Sequence, residues 1–219
     1  MKTFLLSSII IPLIILSLVI QAHNNLQNDA LPESITKMID TLSHNNKTVK
    51  MVYDDQKGQV FWLSFLGNLH TANQNGSTYR RINQGQQLWK DVTFIEDFCL
   101  NASKDSIYFT DLMDLQSGHS AIKITDAEGT VVKVVASLEN EIPYHISFSP
   151  EQQMLFYLSK VRRNGIYTYR LRFVNLNNSE KGTLYSSSTR ITQLDFDKAN
   201  RAINIQNQSN EQFAFSANL

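Results

Sequence analysis

Residues 52–64 read VYDDQKGQVFWLS: two short apolar runs on either side of a polar corner ending in Lys57-Gly58-Gln59. By itself the stretch predicts one hairpin. The same form recurs as CLNASKDSIYFTD (99–111), SFSPEQQMLFYLS (147–159) and DFDKANRAINIQ (195–206), with starts 47, 48 and 48 residues apart. A fixed period of this size marks an array of like units. The columns keep register as well. Met51, Phe98, Ile146 and Leu194 share one position, and Tyr53, Leu100, Phe148 and Phe196 share the position two further on. In the second run Val60, Ile107, Leu155 and Ile203 align, as do Trp62, Phe109, Tyr157 and Ile205. Residues two apart share one face of a strand, so these columns predict the same buried face in every copy. Trp62, Phe109 and Tyr157 are expected to be equivalent buried residues.

A third strand follows each pair, aligning Leu69, Ile122, Leu171 and Phe213. Then come turns: NQNG (73–76), DAEG (126–129) and the looser NLNNSEKG (175–182). Asn-Gly and Glu-Gly suit the positive backbone angle of a tight hairpin. A fourth strand reads STYRRI (77–82), TVVKVV (130–135) and TLYSS (183–187). Four strands per unit of this length is the pattern of a β-propeller blade. The expected fold is all-β: a β-propeller of four visible blades, as a closed four-bladed ring or a partial propeller. After the third strand of the fourth copy only a few residues remain. ESITKMIDTL (33–42) lies at the matching distance before the first copy and is expected to be the missing strand, closing the ring against residues 212–217. Its rival reading is a short helix with Ile35, Met38 and Ile39 on one face.

Residues 1–22, MKTFLLSSIIIPLIILSLVIQA, read as a signal peptide: Lys2, an apolar stretch from Phe4 to Ile20, and Ala22 before the polar HNNLQND. The rival is an uncleaved membrane anchor. The expectation is a signal peptide over 1–22, a single propeller domain over 23–219, and secretion. The 20 basic and 20 acidic residues cancel, which argues against a nucleic-acid partner needing a broad basic face. With Cys99 as the single cysteine, no internal disulfide can form, and stability must come from burial. Cys99, between Phe98 and Leu100, reads as a buried inert thiol.

VYDDQKGQVFWLS with NLHTANQNGSTYRRI resembles a YWTD repeat of lipoprotein-receptor type, and IYFTD is the nearest form of the namesake motif. ISFSPEQQMLFYLS is similar to repeats of TolB-like and SMP-30-like propellers, and LFYLSKVRRNGIYTY resembles insect ommochrome-binding proteins, secreted propellers that carry a pigment. These relatives usually have six blades, whereas four are visible here. The resemblance implies either a binding propeller or, by way of the SMP-30-like enzymes, a metal-dependent hydrolase of the lactonase type.

Ligands of propellers usually sit at one mouth of the channel, built by between-blade loops and by loops joining second and third strands. Function is therefore sought there. The candidate ligand-binding residues are Trp89, Asp114, His119, Tyr144, His145 and Arg162. Asp114 and His119 share the loop LMDLQSGH (112–119), and Arg162 lies in KVRRNG (160–165). No GxSxG, HExxH, P-loop or CxxC occurs, so no catalytic residue, cofactor or metal site is assigned. Asn46, Asn75, Asn101, Asn177 and Asn207 head Asn-x-Ser/Thr sequons in expected loops, so a glycoprotein is expected. The sequence thus reads as a secreted, non-catalytic propeller that binds a small ligand or an extracellular protein, an oligomer being open to it if the propeller is partial. The alternative is the metal-dependent hydrolase.

Overall fold

The computed structural model describes residues 32–43, 47–83, 92, 94–114, 119–197 and 201–216, with the backbone alone at 113 and 114. Four antiparallel sheets follow one another in chain order. Blade 1 holds β1 (Thr48–Asp54), β2 (Gln59–Ser64), β3 (Leu69–Asn73) and the short β4 (Arg80–Arg81). Blade 2 holds β5 (Ile95–Leu100), β6 (Ser106–Asp114), β7 (His119–Asp126) and β8 (Val132–Glu139). Blade 3 holds β9 (Glu141–Ser149), β10 (Met154–Arg163), β11 (Ile166–Asn175) and β12 (Lys181–Ser187). Among the described residues blade 4 has three strands, β13 (Ile191–Asp197), β14 (Ala202–Asn207) and β15 (Gln212–Ser216). The molecule is a four-bladed β-propeller, as the repeat predicts. Gly76 and Gly129 take φ of 79° and 73° in the turns where the sequence calls for positive angles.

The second strands carry the core. Val60-Phe61-Trp62-Leu63 in β2 and Leu155-Phe156-Tyr157-Leu158 in β10 are buried on both faces, hence their unbroken apolar runs. Phe61, Leu63 and Leu69 of blade 1 meet Phe98, Ile107 and Phe109 of blade 2. Tyr108 and Ile122 of blade 2 meet Ile146, Leu155 and Tyr157 of blade 3. Phe156, Leu158 and Leu171 of blade 3 meet Leu194, Phe196, Ile203 and Ile205 of blade 4. Trp62, Phe109 and Tyr157 are each 0% exposed, and each points toward the preceding layer.

For blade 1 that preceding layer is not a sheet. Residues Glu33–Leu42 form a helix, α1, and the strand expected there is corrected: β15 pairs with β14 alone among the described strands. The spacing explains the outcome. A helix gathers Ile35, Met38, Ile39 and Leu42 on one face, whereas a strand would divide them between two. Pro32 at the N-cap leaves a carbonyl that accepts from Ile35 N at 2.8 Å, and Glu33 pairs with Lys37 at 2.7 Å one turn on. Ile35 and Ile39 pack on Val60, Trp62 and Ala72. The Trp62 Nε1–H then donates to Ser43 Oγ at 3.1 Å just past the helix.

Candidate ligand-binding site

The innermost strands β1, β5, β9 and β13 surround a cavity of about 760 Å³. Its wall mixes apolar groups (Met51, Val52, Leu100, Phe148, Leu194, Phe196) with polar ones, among them Asp97, His145 and Ser147. One end is organised by Asp97. A bulge between Ile95 and Asp97 in the β5–β6 pairing re-aims this part of β5. The Asp97 carboxylate accepts from Lys50 Nζ at 2.8 Å and from the Ile146 backbone N–H at 3.0 Å, and lies 3.6 Å from His145 Nδ1. One side chain thereby joins blades 1, 2 and 3. Burial would raise its pKa, but the Lys50 charge and the His145 contact outweigh it and hold the carboxyl well below the usual carboxylate range. Neighbouring Glu96, with burial dominant, is shifted upward, although Lys160, His145 and Arg190 pull against that shift. The Cys99 thiol also lines the cavity and is pushed up to about 12 by burial, which leaves it a neutral, weakly reactive thiol.

At the other end, the Asp54 carboxylate, itself 1% exposed, accepts from Lys104 Nζ at 3.1 Å, and Lys57 Nζ donates to the Ser103 carbonyl at 2.8 Å. These contacts bind the first corner of blade 1 to that of blade 2.

The sequence-derived candidates divide. His145 lines the cavity and is 8% exposed. Tyr144 beside it is 5% exposed, and its hydroxyl donates to the Ile191 carbonyl at 2.9 Å, so its polar end ties blade 3 to blade 4. The Arg190 guanidinium lies 5.9 Å from the Tyr144 ring centre. Arg162 is exposed and lies 5.7 Å from the ring centre of Tyr167. His119 is exposed at the start of β7, opposite Asp114 in the β6–β7 pairing. Trp89 lies outside the described residues. The structure therefore brings together His145, Tyr144 and the blade 3 side of the mouth, and it adds Lys50, Glu96, Asp97, Lys160 and Arg190. A usable signal for Asp97 was the pair Glu96-Asp97 inside an otherwise apolar strand. Among the described residues no group of three His, Cys, Asp or Glu converges to hold a metal ion.

Of the sequon asparagines, Asn75 and Asn177 are exposed in third-to-fourth-strand turns. Asn101 donates through Nδ2 to Ser103 Oγ and Asp105 Oδ1. Asn207 is 2% exposed, with Nδ2 held by Glu211 at 2.6 Å. Asn46 lies outside the described residues. Among the described residues no helix is long and apolar enough to cross a membrane.

No family model matches the chain, and no curated protein matches it. Solved structures do. A chain of a nidogen/laminin complex superposes with a TM-score of 0.60 at 15% identity, over 78% of this chain and 61% of that one. TolB from Acinetobacter baumannii gives 0.52 at 13% identity, over 69% and 35%. An oligogalacturonate lyase from Vibrio parahaemolyticus gives 0.53 at 11% identity, over 74% and 46%. The chain spans less than two thirds of the length of each of these. Identities so low carry the fold alone: the chain is a β-propeller, similar in fold to part of each of these longer chains.

Proposed function

We propose that this chain is a secreted, non-catalytic binding protein that holds a small organic molecule in the cavity between its inner strands. The cavity itself carries the reading. About 760 Å³ falls within the roughly 300–1,000 Å³ of small-molecule sites, which combine an apolar wall with a few placed polar groups. The polar groups at the inner end are already engaged with one another, as Lys50, Asp97 and His145 are. Such a paired set suits orientation of a ligand better than proton transfer to it. Secretion rests on the leader over 1–22. Glycans are proposed on the exposed Asn75 and Asn177, away from Asp97 and His145, whereas the engaged Nδ2 of Asn207 makes it a poor acceptor.

Protein purified from a secreting eukaryotic host, then unfolded, should release one small organic molecule per chain by mass spectrometry. Ser147 lines the cavity, so Ser147→Trp should fill it and abolish that release while the chain stays folded. Equal release from both proteins would remove the cavity as the site. One tightly held divalent ion per chain would favour a metal-dependent hydrolase instead.

A further inference from the structure

Blade 3 differs from its neighbours in charge and in reach. Over Met154–Asn175 the sequence has five basic residues (Lys160, Arg162, Arg163, Arg170 and Arg172) and no acidic one, although the whole chain is neutral. Among the described residues only Arg172 of the five is held by a carboxylate, that of Glu141 at 3.0 Å. The hairpin is also long. β9 flanks β10 only as far as Val161, and β12 flanks β11 only as far as Tyr169. The pairs Arg162↔Tyr167 and Arg163↔Ile166 therefore stand beyond both flanking strands as a two-stranded projection. Its tip turns through Asn164 and Gly165, with φ of 49° and 80°, and Gly165 has open space around it.

The hairpin presents one ordered face that runs from the edge of the sheet onto the projection. Lys160 opposes Tyr169 and Arg162 opposes Tyr167. Lys160 Nζ and the Arg162 guanidinium lie 5.9 and 5.7 Å from the Tyr167 ring centre, and Tyr167 lies 6.4 Å from Tyr169. Stacking on an aromatic face limits how a cation can point and so lowers the entropy lost when it binds an anion. Tyr167 remains 40% exposed beside these charges, while Ile166, 68% exposed, stands with Arg163 on the opposite face.

We propose that this basic-aromatic hairpin docks an extended protein segment bearing an acidic side chain at every second residue. Register is the reason for that partner. Alternate residues of a strand recur about every 6.8 Å, and alternate side chains of any extended peptide recur at the same distance. Carboxylates on one face of such a segment meet Arg162 and Lys160 in step, Arg162 with its two-pronged donor set, while the tyrosine hydroxyls supply further donors and the tyrosine rings cover the segment's stem. The surface does not depend on the cavity or its occupant.

The probe is a labelled peptide of about twelve residues alternating Glu and Thr, sized to span the projection. A second peptide has the same composition with its Glu residues contiguous. Fluorescence anisotropy is read with the full chain at low and moderate salt. The alternating peptide is expected to bind more tightly than the contiguous one, and to weaken as salt rises. A Lys160→Ala, Arg162→Ala double variant is expected to lose about tenfold in affinity; Lys133→Ala, an exposed charge on blade 2, is expected to lose nothing. Unchanged thermal melting of the variants shows that folding is not the cause. Equal binding of the two peptides, equal binding by the double variant, or binding of a heparin fragment or of phosphatidylserine vesicles in place of the alternating peptide would overturn the proposal.

Discussion

Single side chains decide how the blades are held to one another. Asp97 lies among the apolar residues of β5 and is kept ionised there because Lys50 and the Ile146 amide reach it from the neighbouring blades. Buried charges persist only when paired in this way. His70 is the opposite case. It stacks 5.2 Å from Trp62 and 5.9 Å from Tyr79, and burial, helped by the nearby Arg81 charge, lowers its pKa to about 4. The folded state thus prefers neutral imidazole, while the unfolded chain takes up a proton near the ordinary value of about 6.5. Stability from this residue is fully present above that value and is lost as pH falls from there toward 4. Thermal melting followed between these two pH values should decline in the native chain and decline less in His70→Phe. An identical slope in both would show that His70 does not carry the effect. None of this was visible in the sequence, where His70 is one polar letter in NLHTAN: Trp62 lies on the adjacent strand β2, and Tyr79 comes just before β4.

At the scale of elements, α1 takes the place that a preceding blade would occupy. Phe109, Tyr157 and Ile205 each pack on the sheet before them, and Trp62 in the same column packs on Ile35 and Ile39. A short helix of ten residues has little stability by itself, so it is held by this face. Ile39→Asp should release it and expose Trp62, seen as a red shift in tryptophan emission together with association on size exclusion. Trp62→Ala should cost about 3–5 kcal/mol in chemical unfolding. A monomeric, equally stable Ile39→Asp chain would show that the helix is dispensable. Both the strand and the helix readings of 33–42 were legible. The one-face spacing of Ile35, Met38, Ile39 and Leu42 favours the helix, and the position of Trp62 decides what that face covers.

At the scale of the whole molecule, blades 1 and 4 differ, among the described residues, in the faces they turn away from the blades between them. Blade 1 turns an apolar face to α1, whereas blade 4 ends in a polar one. Opposite the face that packs on blade 3, β13, β14 and β15 carry Asp195, Asn204 and Ala214 in one row, and Gln193, Gln206 and Gln212 in the next. Arrays of like units need terminal units with polar outer faces to stay soluble. Replacing Asn204 and Gln206 together with Ile should give blade 4 two apolar faces and convert the chain to a dimer or larger species in sedimentation velocity. An unchanged sedimentation coefficient would show that the polar row is not what limits association.

This ending was present in the letters. β2 and β10 read VFWL and LFYL, apolar throughout, while β14 reads INIQ and alternates, as a strand buried on one face must. Blade number, strand order and the columns of Met51, Tyr53, Val60 and Trp62 followed from the sequence because period-two alternation and turn residues are local, and repetition in four copies makes them unambiguous. The tertiary structure alone decided what joins the copies: the reach of Lys50 and Ile146 to Asp97, the commitment of the Tyr144 hydroxyl to Ile191, the helix on Trp62, and the cavity between the inner strands. Each of these depends on residues tens of positions apart meeting across blades, and no local pattern encodes such a distance.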